Sequence, residues 1–399
     1  MRRILHTFLS FPLLCCSLIA CHTDTQKVEA RPRFPEEPKK FGAIQLSYSD
    51  TNAREWQPIK RSLDSFYRIQ SRAGFNGSVL IGYKGKILFE RYYGYANREQ
   101  EIPLTPNAPS QLASVTKTFT GAAVLYLNEK KYLDINETVD HYLKDFPYPG
   151  ITVKMLLCHR SGLPDYTHWV LNYIKDSRTP IYNNKVLQLM AANKPKLDFK
   201  PDTHFKYSNT NYAMLALIIE EATGMPFKTF MKKYIFEPLG MKHTYVFDPA
   251  DGFEPNTTIS YKASWLREPI MFADGVYGDK GIYSTVEDMY RWDQSFYAKK
   301  LLSNETMELA YGPCSFEKPG VKNYGLGWRM LCYPDGYKVI YHNGWWHGNN
   351  NCFYRFIKDN FTIVVLGNRY SGAIYRQPMS LYKIVNGTGV NGGEEEGED

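Results

Sequence analysis

Three short motifs follow one another in a fixed order along the chain. They are Ser-Val-Thr-Lys at residues 114–117, Tyr-Ser-Asn at 207–209 and His-Asn-Gly at 342–344. A fold that brings them into one cleft would combine a serine nucleophile, groups that move its proton, and an oxyanion site. Each pattern is too short to identify a catalytic site alone, so the sequence around each motif must also be considered. Together the motifs predict an active-serine hydrolase whose fold must join three distant segments.

The Ser-x-x-Lys pattern occurs three times, and context separates the copies. The copy at 315–318 is followed by a Pro-Gly pair that stops a helix, so it is predicted to be a loop. The copy at 380–383 lies close to a Gly-rich end and is predicted to belong to a terminal amphipathic helix. Only the copy at Ser114 is followed by apolar residues with helical spacing, over residues 119–127. It is also the only copy that comes before both of the other motifs.

Lys117 lies one helical turn after Ser114 and is the candidate base. Residues three apart on a helix are neighbours, so its amine can approach the serine hydroxyl. A serine hydroxyl is a poor nucleophile until a base takes its proton. A buried Lys117 would be that base, or would hold down the pKa of another base. The competing interpretation is a helix N-cap serine followed by a solvated lysine.

Tyr207 and Asn209 are predicted to lie on a loop just before an apolar helix over residues 213–223, which Gly224 closes. Beside Lys117, the Tyr207 phenol would exchange a proton with Ser114 or with the leaving group. Asn209 would donate to a substrate carbonyl or fix Lys117. The alternative is a turn tyrosine followed by an asparagine helix cap.

The third motif is predicted to end a strand over residues 337–341, paired with residues 327–332 across a Pro-Asp-Gly turn. Gly344 permits close approach of the backbone. The N–H groups of Trp345 and Ser114 are then the expected oxyanion donors. His342 would face the substrate or hold Tyr207 by a hydrogen bond, and Trp345 with its neighbour Trp346 would wall the pocket.

Four further segments resemble the serine β-lactamase and penicillin-binding-protein superfamily, and within it the class C-like branch that includes esterases and D-aminopeptidases. The segments are Leu-Leu-Cys-His-Arg-Ser-Gly-Leu-Pro-Asp at 156–165, Ile-Phe-Glu-Pro-Leu-Gly-Met at 235–241, Gly-Ile-Tyr-Ser-Thr-Val-Glu-Asp-Met at 281–289 and Tyr-Gly-Leu-Gly-Trp at 324–328. They occur in the family's order, and the resemblance covers roughly residues 51–385.

The resemblance implies an α/β fold of the α+β type. In that fold an antiparallel sheet flanked by helices stands beside a mostly helical region, and the active site lies between them. The resemblance also implies that Ser114 is acylated, that Lys117 and Tyr207 move protons, that Asn209 assists and that His342 opens the third motif. It implies no cofactor, and a small molecule or a peptide as substrate.

The third motif departs from the Lys-Thr-Gly of many β-lactamases and transpeptidases, in which the lysine supplies a permanent charge for a substrate carboxylate. His342 stands there instead, and an unperturbed histidine pKa of about 6.5 leaves its charge at neutral pH undefined. The departure favours hydrolysis of an ester or a peptide. The alternatives are a D-amino-acid peptidase or carboxypeptidase on cell-wall peptides, a β-lactamase, and a non-hydrolytic acylated sensor.

The N-terminus predicts export. Two arginines precede an apolar run over residues 4–20 that is short for a membrane-spanning helix. The small residue before Cys21 fits a lipobox, so we expect residues 1–21 to be a lipoprotein signal peptide with Cys21 as the acylated first residue of the mature chain. An ordinary signal peptide is the alternative. The lipid would anchor the protein in the cell membrane or outer membrane, facing the periplasm or the cell surface.

Composition agrees with one catalytic domain behind this leader. In a chain of 399 residues, an apolar share of 43% is enough to form a large core. The net charge of +7 is spread without a basic stripe, which gives no indication of nucleic-acid binding. Residues 22–50 are predicted to be a polar tether, residues 51–385 the hydrolase domain, and residues 386–399 a disordered acidic tail.

Export would allow disulfides among the four remaining cysteines, at positions 158, 314, 332 and 352. Cys332 and Cys352 are expected on neighbouring strands and are the candidate pair. A Cys158 nucleophile beside His159 is a weaker alternative to Ser114, because adjacent residues on an element point apart.

His342, His347 and Cys352 flank a Gly-containing turn and are the candidate ligands of a zinc site. Their spacing matches no familiar ligand pattern, and no pair of carboxylates completes a set. We therefore predict no metal.

Overall fold

A computed structural model of the chain describes Phe34, Glu37, residues 42–50 and residues 53–387. Its α-helices are α1 (Gln57–Arg72), α2 (Thr116–Glu129), α3 (Val139–Tyr142), α4 (Val153–Leu157), α5 (Tyr166–Trp169), α6 (Asn183–Asn193), α7 (Asn209–Thr223), α8 (Phe227–Phe230), α9 (Glu237–Leu239), α10 (Val286–Tyr297), α11 (Asn304–Ala310) and α12 (Gln377–Asn386). Its strands are β1 (Gly77–Tyr83), β2 (Lys86–Tyr93), β3 (Tyr95–Asn97), β4 (Ile102–Pro103), β5 (Ser110–Gln111), β6 (Tyr245–Val246), β7 (Ile282–Ser284), β8 (Lys322–Tyr324), β9 (Arg329–Cys332), β10 (Lys338–Trp346), β11 (Asn349–Phe356) and β12 (Phe361–Gly367). Short 3-10 turns include Ala113–Val115, and Met231–Phe236 forms a π-helical turn.

The main sheet has seven strands in the order β2-β1-β12-β11-β10-β9-β8. Every neighbouring pair in it is antiparallel. The strand order brings β1 and β2, from the start of the domain, beside β12 at its end, so the two ends of the sequence close one sheet. The predicted α+β fold with an antiparallel sheet flanked by helices is thus confirmed.

The two faces of the sheet carry separate cores, because side chains alternate along a strand. In β12, Ile363 and Val365 pack with α1 and α12 on one face. Val364 and Leu366, which alternate with these two residues along the strand, belong to the larger core of the helical region on the other face.

Helix α2 lies in the middle of the helical region, where all residues from Thr116 to Leu127 are buried. A helix that is apolar around most of its surface must be surrounded by other elements. It packs against α7, which is similarly buried from Thr210 to Ile219. Gly224 ends α7 in the left-handed conformation, as predicted.

The predicted hairpin is present, since Lys338 of β10 pairs with Cys332 of β9. The predicted end of the second strand is wrong. β10 continues through His342 and Gly344 to Trp346, so the third motif lies inside the strand, paired with β11. The copies of Ser-x-x-Lys at 315–318 and 380–383 fall in a loop and in α12, as expected.

The expectation of a polar tether over residues 22–50 does not hold for residues 42–50. Ile44 is buried, and its N–H donates to Leu239 O at 3.1 Å. Ser47 and Ser49 bond with the backbone of Ile87, so this segment covers the edge strand β2. An apolar side chain and an open strand edge together explain why the segment packs onto the domain.

The predicted signal peptide with Cys21, and the acidic tail beyond residue 387, lie outside the described residues. The boundary placed at residue 385 moves by one residue, because α12 ends at Asn386. Within the part of the chain that the structure covers, none of the helices has both the length and the apolar character needed to cross a bilayer.

The candidate disulfide between Cys332 and Cys352 is not formed. The two residues do not even lie on neighbouring strands. Cys332 lies on β9 and Cys352 on β11, and β10 runs between these two strands.

Candidate active site

Ser114 lies on the 3-10 turn that leads directly into α2. Its neighbour Ala113 has a φ of +50°, which side chains other than glycine rarely adopt. The turn is tied to β7 by Leu112, whose N–H donates to Ile282 O at 2.8 Å. Strained residues persist only where the surrounding fold holds them, and they are concentrated at functional sites.

The Lys117 amine lies close to the Ser114 hydroxyl, as the helical spacing predicted. Lys117 Nζ is 3.0 Å from Ser114 Oγ, 2.8 Å from Asn209 Oδ1 and 2.8 Å from the backbone oxygen of Asp279. Each of the three neighbours comes from a different part of the sequence. The fold therefore fixes the amine from three directions.

Burial lowers the Lys117 pKa to about 7. The lysine has no exposed surface, and desolvation disfavours its charged form. Asp279 and Asp165 act in the opposite direction, while the positive charges of Lys280 and Arg329 lower the pKa further. At neutral pH a large fraction of Lys117 is therefore an uncharged amine that can accept a proton.

Tyr207 lies over the same amine, with its ring centre 4.8 Å from Lys117 Nζ. The ring rests on His159, whose ring centre is 4.3 Å away. His159 Nδ1 in turn accepts from Ser208 N at 3.2 Å. The Tyr207 hydroxyl oxygen is buried, so the phenol is held within the protein interior beside the lysine.

Asn209, the first residue of α7, is oriented by Asp165. Both the backbone N–H and the side-chain Nδ2 of Asn209 donate to Asp165 Oδ2, each at 2.9 Å. The amide oxygen therefore points to Lys117. Asp165 also caps α5 by accepting from Thr167 N at 2.9 Å, which fixes the carboxylate. Of the two predicted roles of Asn209, the structure thus contains the contact with Lys117.

His342 is buried in β10, and its predicted hydrogen bond to Tyr207 is not formed. Its Nε2 lies 3.2 Å from the Tyr324 hydroxyl, and its Nδ1 lies 2.7 Å from Asn343 O. Burial, with the nearby charges of Arg329 and Lys117, holds the His342 pKa well below its usual value. The imidazole is therefore neutral at neutral pH, which resolves the charge that the sequence left undefined.

Gly344 brings β10 against the serine turn. A Cβ at this position would lie 2.3 Å from Leu112 O and 3.3 Å from Ser114 N, so a larger residue would force the two backbones apart. The next residue, Trp345, is 61% exposed. Its Nε1 donates to His347 O at 3.0 Å, and its ring centre lies 6.0 Å from that of Tyr370.

Trp346 points to the opposite face of β10 from Trp345, because side chains alternate along a strand. There it contacts the charged side chains of Asp274 and Lys280. Its Nε1 donates to Asp274 Oδ1 at 2.7 Å, and its ring centre lies 4.5 Å from Lys280 Nζ. Asp274 also lines a cavity of about 470 Å³ whose walls include Phe247, Phe253 and Tyr283. Such a cavity suits an apolar or aromatic group.

Sequence reasoning missed five residues that surround the motifs. They are His159, Asp165, Asp279, Lys280 and Arg329. The first two stand inside the segment at 156–165 and Arg329 directly follows the segment at 324–328, so the family pattern offered a signal. Asp279 and Lys280 precede the segment at 281–289 and form a buried ion pair of 3.0 Å that no motif indicates.

The three candidate zinc ligands have separate hydrogen-bond partners. His347 Nε2 bonds with both Asp274 oxygens, at 2.9 and 3.0 Å, while His342 bonds with Tyr324. Across residues 42–50 and 53–387, no three His, Cys, Asp or Glu side chains form a group that could hold a metal ion.

Comparison with known proteins agrees with this geometry. Residues 68–380 match the Beta-lactamase family. This chain belongs to the beta-lactamase family. It is 31% identical to penicillin-binding protein 4* of Bacillus subtilis over 331 residues, covering 79% of this chain and 72% of that protein. It is thus a serine hydrolase of the β-lactamase and penicillin-binding-protein type.

Two other proteins are similar to this chain, one in sequence and one in fold. The chain is 33% identical to a teichoic acid D-alanine hydrolase of Staphylococcus aureus, over 57% of this chain and 56% of that protein. Its fold is similar to that of a penicillin binding protein from Bacillus halodurans, with a TM-score of 0.71, 24% identity, and coverage of 79% of this chain and 98% of that one. The β-lactamase and transpeptidase fold predicted from the sequence is confirmed.

Proposed function

We propose that this protein cleaves an ester or amide bond through an acyl-enzyme on Ser114, with Lys117 as the base. The set of atoms around Lys117 Nζ supports this most directly. Two of its three neighbours, Asn209 Oδ1 and Asp279 O, can only accept hydrogen bonds. A neutral amine has two N–H groups for these oxygens and one lone pair. That lone pair is left for the Ser114 hydroxyl, 3.0 Å away.

The reaction then proceeds by transfer of the Ser114 proton to Lys117 as Oγ attacks the carbonyl carbon. The N–H groups of Ser114 and Trp345 receive the developing oxyanion. Tyr207, which lies over the same amine, carries the proton to the leaving group. Water attacks the acyl-enzyme by the reverse path and regenerates Ser114.

The charges around the site favour a substrate with an anionic group. His342 is uncharged and cannot provide the permanent charge that a lysine would provide in the third motif. Arg329 on β9 provides one instead, with its guanidinium carbon 5.2 Å from the Tyr207 ring centre. A guanidinium matches the geometry of a carboxylate or a phosphate.

The acyl group that we propose is D-alanyl or a related D-amino acyl group. The support is the 33% identity with a teichoic acid D-alanine hydrolase of Staphylococcus aureus. Both an ester of D-alanine on an anionic polymer and a D-amino-acid peptide with a free carboxylate meet the charge requirement. A β-lactam carries a carboxylate as well and is the third candidate.

Two forms of one substrate test this proposal. A D-alanyl-D-alanine peptide with a free carboxylate is compared with its C-terminal amide, in the native protein and in Arg329→Gln. Loss of one charged hydrogen bond lowers kcat/KM roughly 10- to 100-fold. At a pH on the plateau of both proteins' profiles, where Lys117 is neutral, we expect that loss for the free acid and little change for the amide or for a neutral aryl ester. Equal losses on all three substrates would remove Arg329 from substrate recognition.

A non-hydrolytic sensor remains the alternative from another class of protein. It would share the acylation step but release the acyl group very slowly. Product release from an aryl ester separates the two. We expect many equivalents of product per chain, whereas a burst of one equivalent with no further turnover would establish the sensor.

We also propose that the protein is exported and held to a membrane by lipid on Cys21. The support is the sequence before residue 22, with two arginines, an apolar run and a lipobox-like end. Anchoring would keep the enzyme beside cell-wall polymers.

A further inference from the structure

A buried ion pair adjoins Lys117, and no step of the mechanism above uses its two side chains. The pair consists of Asp279 and Lys280, whose side chains are 1% and 5% exposed. Lys280 Nζ lies 3.0 Å from Asp279 Oδ2. The backbone oxygen of Asp279 accepts from Lys117 Nζ at 2.8 Å, so the pair is joined to the catalytic amine through a single residue.

Two threonines of α2 hold the backbone of this segment in place. Thr120 Oγ1 donates to Gly278 O at 2.7 Å, and Ile282 N donates to Thr116 Oγ1 at 3.2 Å. These threonines stand before and after the catalytic lysine along the helix. The backbone oxygen of Asp279 is therefore supported independently of the two charged side chains.

The Asp279 carboxylate depends on few partners for its charge. Its Oδ2 accepts from the Tyr166 hydroxyl at 3.0 Å, and the Lys280 ammonium donates to the same hydroxyl. Its Oδ1 is buried and has no hydrogen-bond partner among residues 42–50 and 53–387. A buried carboxylate is costly unless a cation is paired with it, and Lys280 is the cation in contact with this one.

Aromatic rings hold the Lys280 ammonium beside the carboxylate. Its Nζ lies 4.5 Å from the ring centre of Trp346 and 4.9 Å from that of Tyr166. The faces of aromatic rings attract an ammonium group, so these contacts fix the position of the positive charge. Lys280 thereby links the segment before β7 to β10, the strand that carries the third motif.

The two charges of the pair act on Lys117 in opposite directions. The Asp279 carboxylate raises the pKa of Lys117, and the Lys280 ammonium lowers it. Other titratable groups near the amine come from the surrounding elements and are Asp165, Arg329, Tyr207, Tyr212, His159 and His342.

We propose that Lys280 acts on catalysis through Lys117, by cancelling the charge of Asp279 and so keeping the amine available as a base. The inference rests on the role proposed above for Lys117. Without Lys280, the buried carboxylate would stabilise the ammonium form of Lys117, which has no lone pair for the Ser114 proton. Lys280 is thus a positioning residue that sets a charge and takes no part in the chemical steps.

Nuclear magnetic resonance of the full chain, ¹³C-labelled at the lysine ε-carbon, follows the charge of Lys117 without any substrate. The signal of Lys117 is identified by its loss in Lys117→Arg. We expect Lys280→Met to raise the midpoint of the Lys117 titration by roughly one pH unit. Asp279→Asn, which keeps the size of the side chain and the backbone oxygen, should lower the midpoint. The double variant lacks both charges, so its midpoint should return close to the native value.

A purely structural pair would not give shifts of opposite sign that cancel. Lys86→Met, which removes an exposed charge on β2, is the matched control and should leave the midpoint unchanged. Equal directions of shift in the two single variants, an unmoved midpoint in Asp279→Asn, or a double variant that keeps the shift of Lys280→Met would overturn the proposal.

The outcome is separate from that of the proposed function. If Lys280→Met does not fold, as judged by thermal unfolding, the conservative Asp279→Asn variant still gives the sign of the effect. Opposite shifts in a native protein that turns over no ester would establish the action of the pair on Lys117 and overturn the hydrolase proposal instead.

Discussion

The protonation state of Lys117 sets the pH dependence of the proposed reaction. Its pKa of about 7 belongs to a group that acts when it is neutral. Protonated Lys117 has no lone pair for the Ser114 proton, so activity is lost as the pH falls through this value. We expect kcat/KM for a neutral ester to fall about tenfold per unit below pH 6 and to level off above pH 8. A flat profile from pH 5 to 9 would contradict the role of Lys117.

Arg329 provides a control for this assignment, because its charge is one of those that lower the Lys117 pKa. Arg329→Gln removes that charge, so the pKa of Lys117 should rise and the inflection of the profile should move to higher pH. The neutral ester isolates this effect from substrate recognition. An inflection that stays in place, or moves to lower pH, would assign the titration to another group.

At the scale of elements, Gly344 sets the distance between β10 and the serine turn. Gly344→Ala places a Cβ 2.3 Å from Leu112 O, so β10 must retreat and carry the Trp345 N–H away from the oxyanion position. Loss of one such donor costs roughly 10²-fold in kcat. Gly372→Ala is the matched control, because its Cβ would meet nothing within 4 Å. Equal activity of the two variants would exclude β10 from the oxyanion site.

The elements predicted correctly are those whose sequence patterns lie within the element itself. The α7 helix has an apolar face and a Gly224 cap, and the β9–β10 hairpin has a Pro-Asp-Gly turn, so both were correct. The true end of β10 was missed because the strand's last residues pair with β11, a contact that spacing within the strand does not encode. Asp279 was missed for a similar reason, since it reaches Lys117 through a backbone oxygen that any residue type has.

At the scale of the whole molecule, the proposed lipid on Cys21 would place the protein at a membrane. The described residues form two cores, one on either side of the main sheet. We expect the protein produced in bacteria to incorporate an alkyne-labelled palmitate and to fractionate with membranes, because two or more acyl chains give stable anchoring. Cys21→Ser should lose the label and keep its activity on a soluble ester.

The control for that measurement is Cys332→Ser, which alters a thiol within the catalytic domain and should retain both label and membrane fraction. A native protein that carries no label and is released from the membrane would favour an ordinary signal peptide.

Intact-mass spectrometry with a fluorophosphonate tests whether the fold activates one serine. We expect a single adduct per chain, mapped by digestion to the peptide that contains Ser114, and no adduct in Ser114→Ala, which should unfold at the temperature of the native protein. Label on any other residue, or full ester turnover by Ser114→Ala, would contradict the account.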